Sequence, residues 1–215
     1  MKKSVAVIGL GRFGICVAEE LYRSGCDVMV FDKNSSLIND IAENVTCAMC
    51  VDETDPKALE EAGIGDMDVV VTGMSDDLEP TIMAVVTAKS LGVPEIVAKA
   101  KDPVMGDILS KIGADTVVYP EKESGIRMCQ KIICDNFIEY FDISDSTSLV
   151  EIYPKEEWIG KSLRELELRK RYKINVVAIM QGEDFNITMD PDEPLQKEQK
   201  ILITIRKKDL KKLSS

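Results

Sequence analysis

Histidine is absent from all 215 residues. That removes the commonest general acid–base side chain and the commonest metal ligand. Aromatic residues make up only 5% of the chain, with a single tryptophan. The core must therefore be built from Val, Ile, Leu, Met and Ala, a mix suited to a parallel sheet covered by helices. No apolar run approaches the roughly 20 residues that a membrane-spanning helix needs. The opening MKKSVAVIGLG has two lysines and an apolar run but no A-x-A-like cleavage site. A soluble, cytosolic chain is the expectation. Positive charge is also scarce: 27 Lys and Arg stand against 38 Asp and Glu, for a net charge of −11. A nucleic-acid backbone would be repelled on average, so no nucleic-acid partner is expected. Small anions are not excluded, because backbone N–H groups hold them locally whatever the net charge.

Enzyme motifs are missing as well. No Tyr is followed four residues later by Lys, and neither a serine nucleophile elbow nor an HExxH run occurs. Cys47 and Cys50 have C-x-x-C spacing, but there is no second such pair. Within the apolar stretch VTCAMCV they read as buried structural cysteines rather than metal or redox residues. The remaining cysteines read as free thiols.

What the sequence does contain is alternation. Strands are predicted at Ser4–Leu10, Asp27–Phe31, Thr46–Val51, Asp68–Thr72, Glu95–Ala98 and Asp115–Tyr119. Helices are predicted at Phe13–Arg23, Ser35–Glu43, Asp55–Ala62, Leu78–Leu91 and Pro103–Ile112, with a long amphipathic one over Glu123–Phe137. Apolar runs such as VAVI and DVVV lack polar alternation, as expected for strands covered on both faces. The fold class is therefore α/β, a Rossmann-type doubly wound parallel sheet over residues 1–143. Residues 144–215 read as a small α+β domain. Its strands are Leu149–Tyr153, Asn175–Met180, Phe185–Thr188 and Lys200–Ile205, with a short helix over Ser162–Leu168 and a basic helix from Lys207.

The strongest motif is Gly9-Leu10-Gly11-Arg12-Phe13-Gly14. It follows a predicted strand and opens a predicted helix. Asp32 ends the next strand, 18 residues after Gly14, near the spacing of about 20 that a dinucleotide site shows. Gly9 permits the tight turn, Gly11 lets backbone approach a pyrophosphate, and Gly14 lets the helix pack on the strand. The helix N-terminus offers free N–H groups and partial positive charge to phosphate. Asp32 accepts from a ribose diol and repels a 2′-phosphate. Arg12 is placed to pair with a terminal phosphate. Further candidates stand at the carboxyl ends of strands, where ligands bind in open α/β sheets. They are Lys33 beside Asp32, Asp52 and Glu53, then Thr72, Gly73 and Met74, then Lys99, and finally Glu121.

These segments resemble a known family. VIGLGRFG at 7–14, VDETDPKALEEAGI at 51–64 and KIGADTVVYPEKESG at 111–125 are similar to the cytosolic subunits of Ktr/Trk-type potassium uptake systems. Their domains are called RCK, and the second half resembles the small TrkA-C domain. The resemblance implies a regulatory protein rather than an enzyme. It would bind ATP, ADP or NAD(H) and gate a membrane-embedded potassium-translocating subunit at the inner face of the membrane. Homodimers would assemble into an octameric ring. Arg12 would sense the γ-phosphate of ATP, Lys99 would lie near the phosphates, and Glu121 would help to bind Mg2+ or another divalent cation between subunits. Asp52 and Glu53 replace a small-residue run usual before Thr54. The helix after Glu121 would join dimer mates, with Met128, Ile132 and Ile133 among its apolar residues; an ordinary core-facing helix is the alternative. LELRKRYKINVVAI at 166–179 resembles a cyclic di-AMP segment, with Arg169, Asn175, Val176 and Pro191 as contacts. Outside the resemblance, an NAD-dependent oxidoreductase and a soluble NAD(H) redox sensor stay open.

Overall fold

The computed structural model describes residues 2–74, 78–133, 137–181 and 184–213. The chain divides into two compact units, 1–121 and 122–215.

In the first unit six strands form one sheet: β1 (Ser4–Ile8), β2 (Asp27–Asp32), β3 (Cys47–Cys50), β4 (Val69–Thr72), β5 (Glu95–Lys99) and β6 (Thr116–Val118). Their order is β3-β2-β1-β4-β5-β6, and every pairing is parallel. This is the doubly wound arrangement, and the strand order reverses direction between β1 and β4. Side chains of β1 alternate between two apolar layers, as the two-residue repeat of a strand requires. Ala6 and Ile8 join Phe31, Leu59, Ile64, Ile96 and Leu109 on one face. Val5 and Val7 join Val28, Val30, Ile38 and Val71 on the other. Each such aliphatic side chain contributes roughly 1.5–3 kcal/mol when fully buried.

The helices of this unit are α1 (Arg12–Arg23), α2 (Ser35–Ile41), α3 (Pro56–Glu61), α4 (Leu78–Ser90) and α5 (Pro103–Ile112); α6 (Pro120–Ile133) begins at its last residues and belongs mostly to the second unit. Three begin where the sequence supplies a cap. Asn34 accepts from the N–H of Ser36, Asp55 from Lys57 and Asp102 from Met105, at 2.9–3.0 Å. Each cap satisfies an N–H that would otherwise lack a partner. The cysteine reading needs correction: Cys50 is exposed and Cys47 only half-buried. They lie on β3, the edge strand of the sheet, which has a neighbour on one side only.

The second unit is an antiparallel sheet of β7 (Phe137–Asp142), β8 (Thr147–Ile152), β9 (Ile174–Gln181), β10 (Asp184–Asn186) and β11 (Ile201–Arg206), in order β10-β9-β11-β8-β7. Here the structure differs from the sequence reading in four places. The long helix ends at Ile133, and Phe137 opens a strand. Phe137 and Tyr140 are both buried, because a register shift after Phe137 in the pairing with β8 turns them to one side. The helix expected over Ser162–Leu168 is two short ones, α7 (Leu163–Leu166) and α8 (Leu168–Arg171), broken where Glu167 adopts φ 46. β10 is shorter than expected, and the basic tail is a 3-10 turn over Lys207–Lys212. Among the described residues no helix is long and apolar enough to cross a membrane.

Candidate functional site

α1 starts at the point where β1 and β4 diverge, and three glycines put it there. A Cβ on Gly14 would lie 2.0 Å from the carbonyl oxygen of Gly9. One on Gly73 would lie 2.7 Å from that same oxygen and 2.9 Å from the Cα of Gly14. Gly9 has φ 90, and a Cβ there would run into Met74. Strand end, helix start and the turn after β4 thus meet backbone to backbone. Gly73 fixes its side of this junction by donating to the Ile8 carbonyl at 2.7 Å. The N-cap of α1 is Gly11, so no side chain closes that helix end, unlike α2, α3 and α5. Its first-turn N–H groups, with their partial positive charge, face the mouth of the sheet. Arg12 is exposed and Phe13 half-buried at the same end.

The acidic side of the mouth is built by β2 and β3. Asp32 is buried, and its carboxylate accepts from the N–H of Leu10 at 2.6 Å and of Asn34 at 2.8 Å. The glycine turn and the β2 end are therefore locked together by one side chain. Leu10 was not a candidate from sequence; its role is exercised by backbone, which leaves no residue-type signal. Asp52 is exposed and turned on its own loop, accepting from the N–H and hydroxyl of Thr54. Those bonds, the hydroxyl first, hold its carboxyl below the usual range. Lys33 is exposed beside them. Glu53 and Thr72 differ: both are buried, and Glu53 Oε2 and Thr72 Oγ1 have no hydrogen-bond partner. Burial pushes the Glu53 carboxyl up, and the charge of Asp32 adds to that.

On the other side Lys99 ends β5. Its ammonium is 3% exposed and meets the Glu121 carboxylate at 2.7 Å. That bond holds the Glu121 carboxyl below its ordinary range. Glu121 is the residue expected to take a divalent cation. Its carboxylate faces a buried cation, and among the described residues no three His, Cys, Asp or Glu come together.

Residues 5–120 match the family model of the TrkA-N domain, and residues 148–215 that of the TrkA-C domain. The chain belongs to the TrkA-N/TrkA-C family. It is 35% identical to Ktr system potassium uptake protein C of Bacillus subtilis (strain 168), over 95% of this chain and 92% of that protein. It is 30% identical to Ktr system potassium uptake protein A of the same organism, over 99% and 96%. In fold it resembles the structure of the GsuK channel bound to NAD, with a TM-score of 0.64 and 17% identity. That match covers 99% of this chain and 39% of the channel chain.

In the TrkA-C domain, Arg169, Asn175 and Val176 line a concave pocket of about 360 Å³ with Leu163, Leu168 and Ile174. The break at Glu167 brings this about, letting Leu168 turn inward while Arg169 stays exposed. Pro191 does not line that pocket; its carbonyl accepts from the N–H of Arg164 at 3.1 Å. On α6, Met128 and Ile132 are 59% and 73% exposed. The core-facing reading of that stripe is overturned for these two residues, while the side chain of Ile133 lies outside the described residues.

Proposed function

We propose that this chain is the nucleotide-binding regulatory subunit of a potassium uptake system and not an enzyme. The single observation that carries this reading is the open N-terminus of α1, set by three glycines against the buried Asp32. Phosphate needs unclaimed N–H groups, and ribose needs an acceptor; both are present at one sheet mouth. Gly9, Gly11 and Gly14 shape the phosphate cradle, with Phe13 behind it and Gly73 and Met74 closing its floor. Arg12 reads distal phosphates, Asp32 takes ribose, and Lys33, Asp52, Thr72 and Lys99 border the crevice. The family relation to Ktr proteins supplies the process, potassium uptake, and with it a membrane-embedded translocating partner at the inner face of the cell membrane. The exposed Met128 and Ile132 support α6 as the element that joins dimer mates, and dimers build the ring.

ATP, ADP and NAD(H) are the candidate ligands, NAD being the one in the GsuK channel of similar fold. A ligand shifts such a ring only by its differential affinity for two shapes. The pocket at Arg169, Asn175 and Val176 is the second proposed site, for cyclic di-AMP. Isothermal titration of the nucleotide-stripped protein with ATP, ADP, AMP, NAD, NADH and cyclic di-AMP tests both. Micromolar binding of adenine nucleotides is expected, with different heats or assembly states for ATP and ADP. Absence of binding, or sustained hydride transfer on a substrate panel, would overturn the reading.

A further inference from the structure

Glu53 stands out in the first unit. Its side chain is 3% exposed, yet Oε2 has no hydrogen-bond partner. A buried carboxyl with an unused acceptor raises the free energy of the fold unless something brings a donor. The charged groups that face it are Asp32 and Lys33, both from the end of β2. Asp32 has both oxygens engaged by the N–H groups of Leu10 and Asn34. It therefore gives Glu53 a negative neighbour and not a donor. Lys33 is exposed, and the backbone N–H groups of Glu53 and Lys33 act on the carboxyl as well. The β2–β3 pairing explains why the two acids meet. Asp32 is in register with Cys50, and the N–H of Val51 donates to the Asp32 carbonyl at 3.1 Å. The turn that follows then delivers Glu53 to the same mouth.

We propose that Glu53 is a second acceptor beside Asp32 and a specificity-determining residue: it takes the 2′-hydroxyl of an unphosphorylated ribose and excludes a ribose bearing a 2′-phosphate. This rests on the nucleotide reading above. An orphaned acceptor is satisfied by a ligand group that brings a hydrogen and no charge. A vicinal diol brings two such groups, and two adjacent carboxyls offer a place for each, whereas a lone amino group needs only one. A 2′-phosphate would set a doubly charged group against both carboxyls. A site built to bond a hydroxyl also rejects the analogue that lacks it far more sharply than an apolar pocket does.

The test uses the full chain, stripped of nucleotide, in three forms: unaltered, Glu53→Ala and Glu53→Gln. Each is titrated with ATP, 2′-deoxy-ATP, ITP, NAD and NADP, and each is melted without ligand. The unaltered chain should prefer ATP to 2′-deoxy-ATP, and NAD to NADP, by about tenfold or more, the range of a hydrogen bond to a charged group. Glu53→Ala should lose about tenfold for ATP while holding 2′-deoxy-ATP as before. It should also narrow the gap between NAD and NADP and leave the ratio of ATP to ITP unchanged. Glu53→Gln keeps one acceptor and should fall between. The ligand-free melting temperature of Glu53→Ala should be no lower than that of the unaltered chain, since an unpaired buried carboxyl has been removed. If the unaltered chain binds ATP but Glu53→Ala keeps the same ATP to 2′-deoxy-ATP ratio, Glu53 is not the determinant and the nucleotide reading stands. A change confined to the ratio of ATP to ITP would move Glu53 from the ribose to the base and overturn the assignment. Equal losses for all ligands with a lower melting temperature would make Glu53 a structural residue. An unaltered chain that binds none of the five would overturn both readings together.

Discussion

The two units differ in where they leave buried polar groups without partners. In the second, the buried Ser148 donates to Asp142 and is bonded to the Tyr140 hydroxyl, Ser162 closes a capping box with Glu165, and Asp209 pairs with Lys212. Among its described residues the indole N–H of Trp158 lacks a hydrogen-bond partner, while its ring packs edge-to-face on Tyr172. In the first unit, two side-chain oxygens without partners, Glu53 Oε2 and Thr72 Oγ1, sit past the end of β3 and at the end of β4, strands of one sheet separated by β2 and β1. Parallel pairing causes the difference. It sends all six strands the same way, so the turns after β2, β3, β4 and β5 gather at one mouth. Antiparallel pairing spreads its turns over both ends and closes polar groups locally. Unfinished polar chemistry concentrated at one edge is what a ligand completes.

The sharpest way to break this contrast is Gly14→Ala. The added methyl would meet rigid backbone at 2.0 Å, so the first unit should lose about 3 kcal/mol or more. Calorimetric melting checks this, and a neutral result would mean that the junction of α1 with β1 is not close-packed. Arg12→Ala comes next and should leave melting unchanged, because the side chain is exposed. It should weaken ATP about tenfold through one lost charge-assisted contact while leaving AMP nearly as before. Equal losses for ATP and AMP would show that Arg12 does not read distal phosphates. In the second unit Ser162→Ala removes half of a capping box and should lower stability by about 1 kcal/mol. Nucleotide affinity should not move.

The same contrast decides what could be read from the sequence. The six-strand alternation and the glycine junction were legible, because buried parallel strands and a G-x-G-x-x-G turn impose residue types. Asp32 was legible through its spacing. The state of Glu53 was not: a glutamate two residues past a predicted strand reads as a loop side chain, and only its burial in the fold shows that it turns inward. Leu10 was hidden because its contribution is an N–H. β7 is missing from the sequence reading because the helix is carried to Phe137, and the buried Phe137 and Tyr140 fit helical spacing as well as a strand with a register shift. The exposure of Cys50 depends on β3 being an edge strand, and edge position is a property of strand order rather than of local sequence.

The smallest effect is a pH dependence whose sign separates the two acids of the first unit. The Glu53 carboxyl is pushed above its ordinary value of 4.5, chiefly by burial, so the folded state holds its proton more tightly than the unfolded chain does. Stability from this group is complete below that ordinary value and is lost as pH rises through the raised one. Glu121 is the reverse. Its bond to Lys99 lowers its carboxyl below 4.5, so its contribution is present above 4.5 and is lost as pH falls through the lowered value. Because Glu121 is largely exposed, solvent screening keeps its share small. Denaturant melts of Glu53→Ala and Glu121→Gln across pH 4 to 8 should therefore diverge in direction. Relative to the unaltered chain, Glu53→Ala should gain stability toward the alkaline end, and Glu121→Gln should lose a little there. If both variants tracked the unaltered chain with a constant offset, neither carboxyl would differ between the folded and unfolded states, and Glu53 would not be the buried, unpartnered acid that the β2–β3 mouth requires.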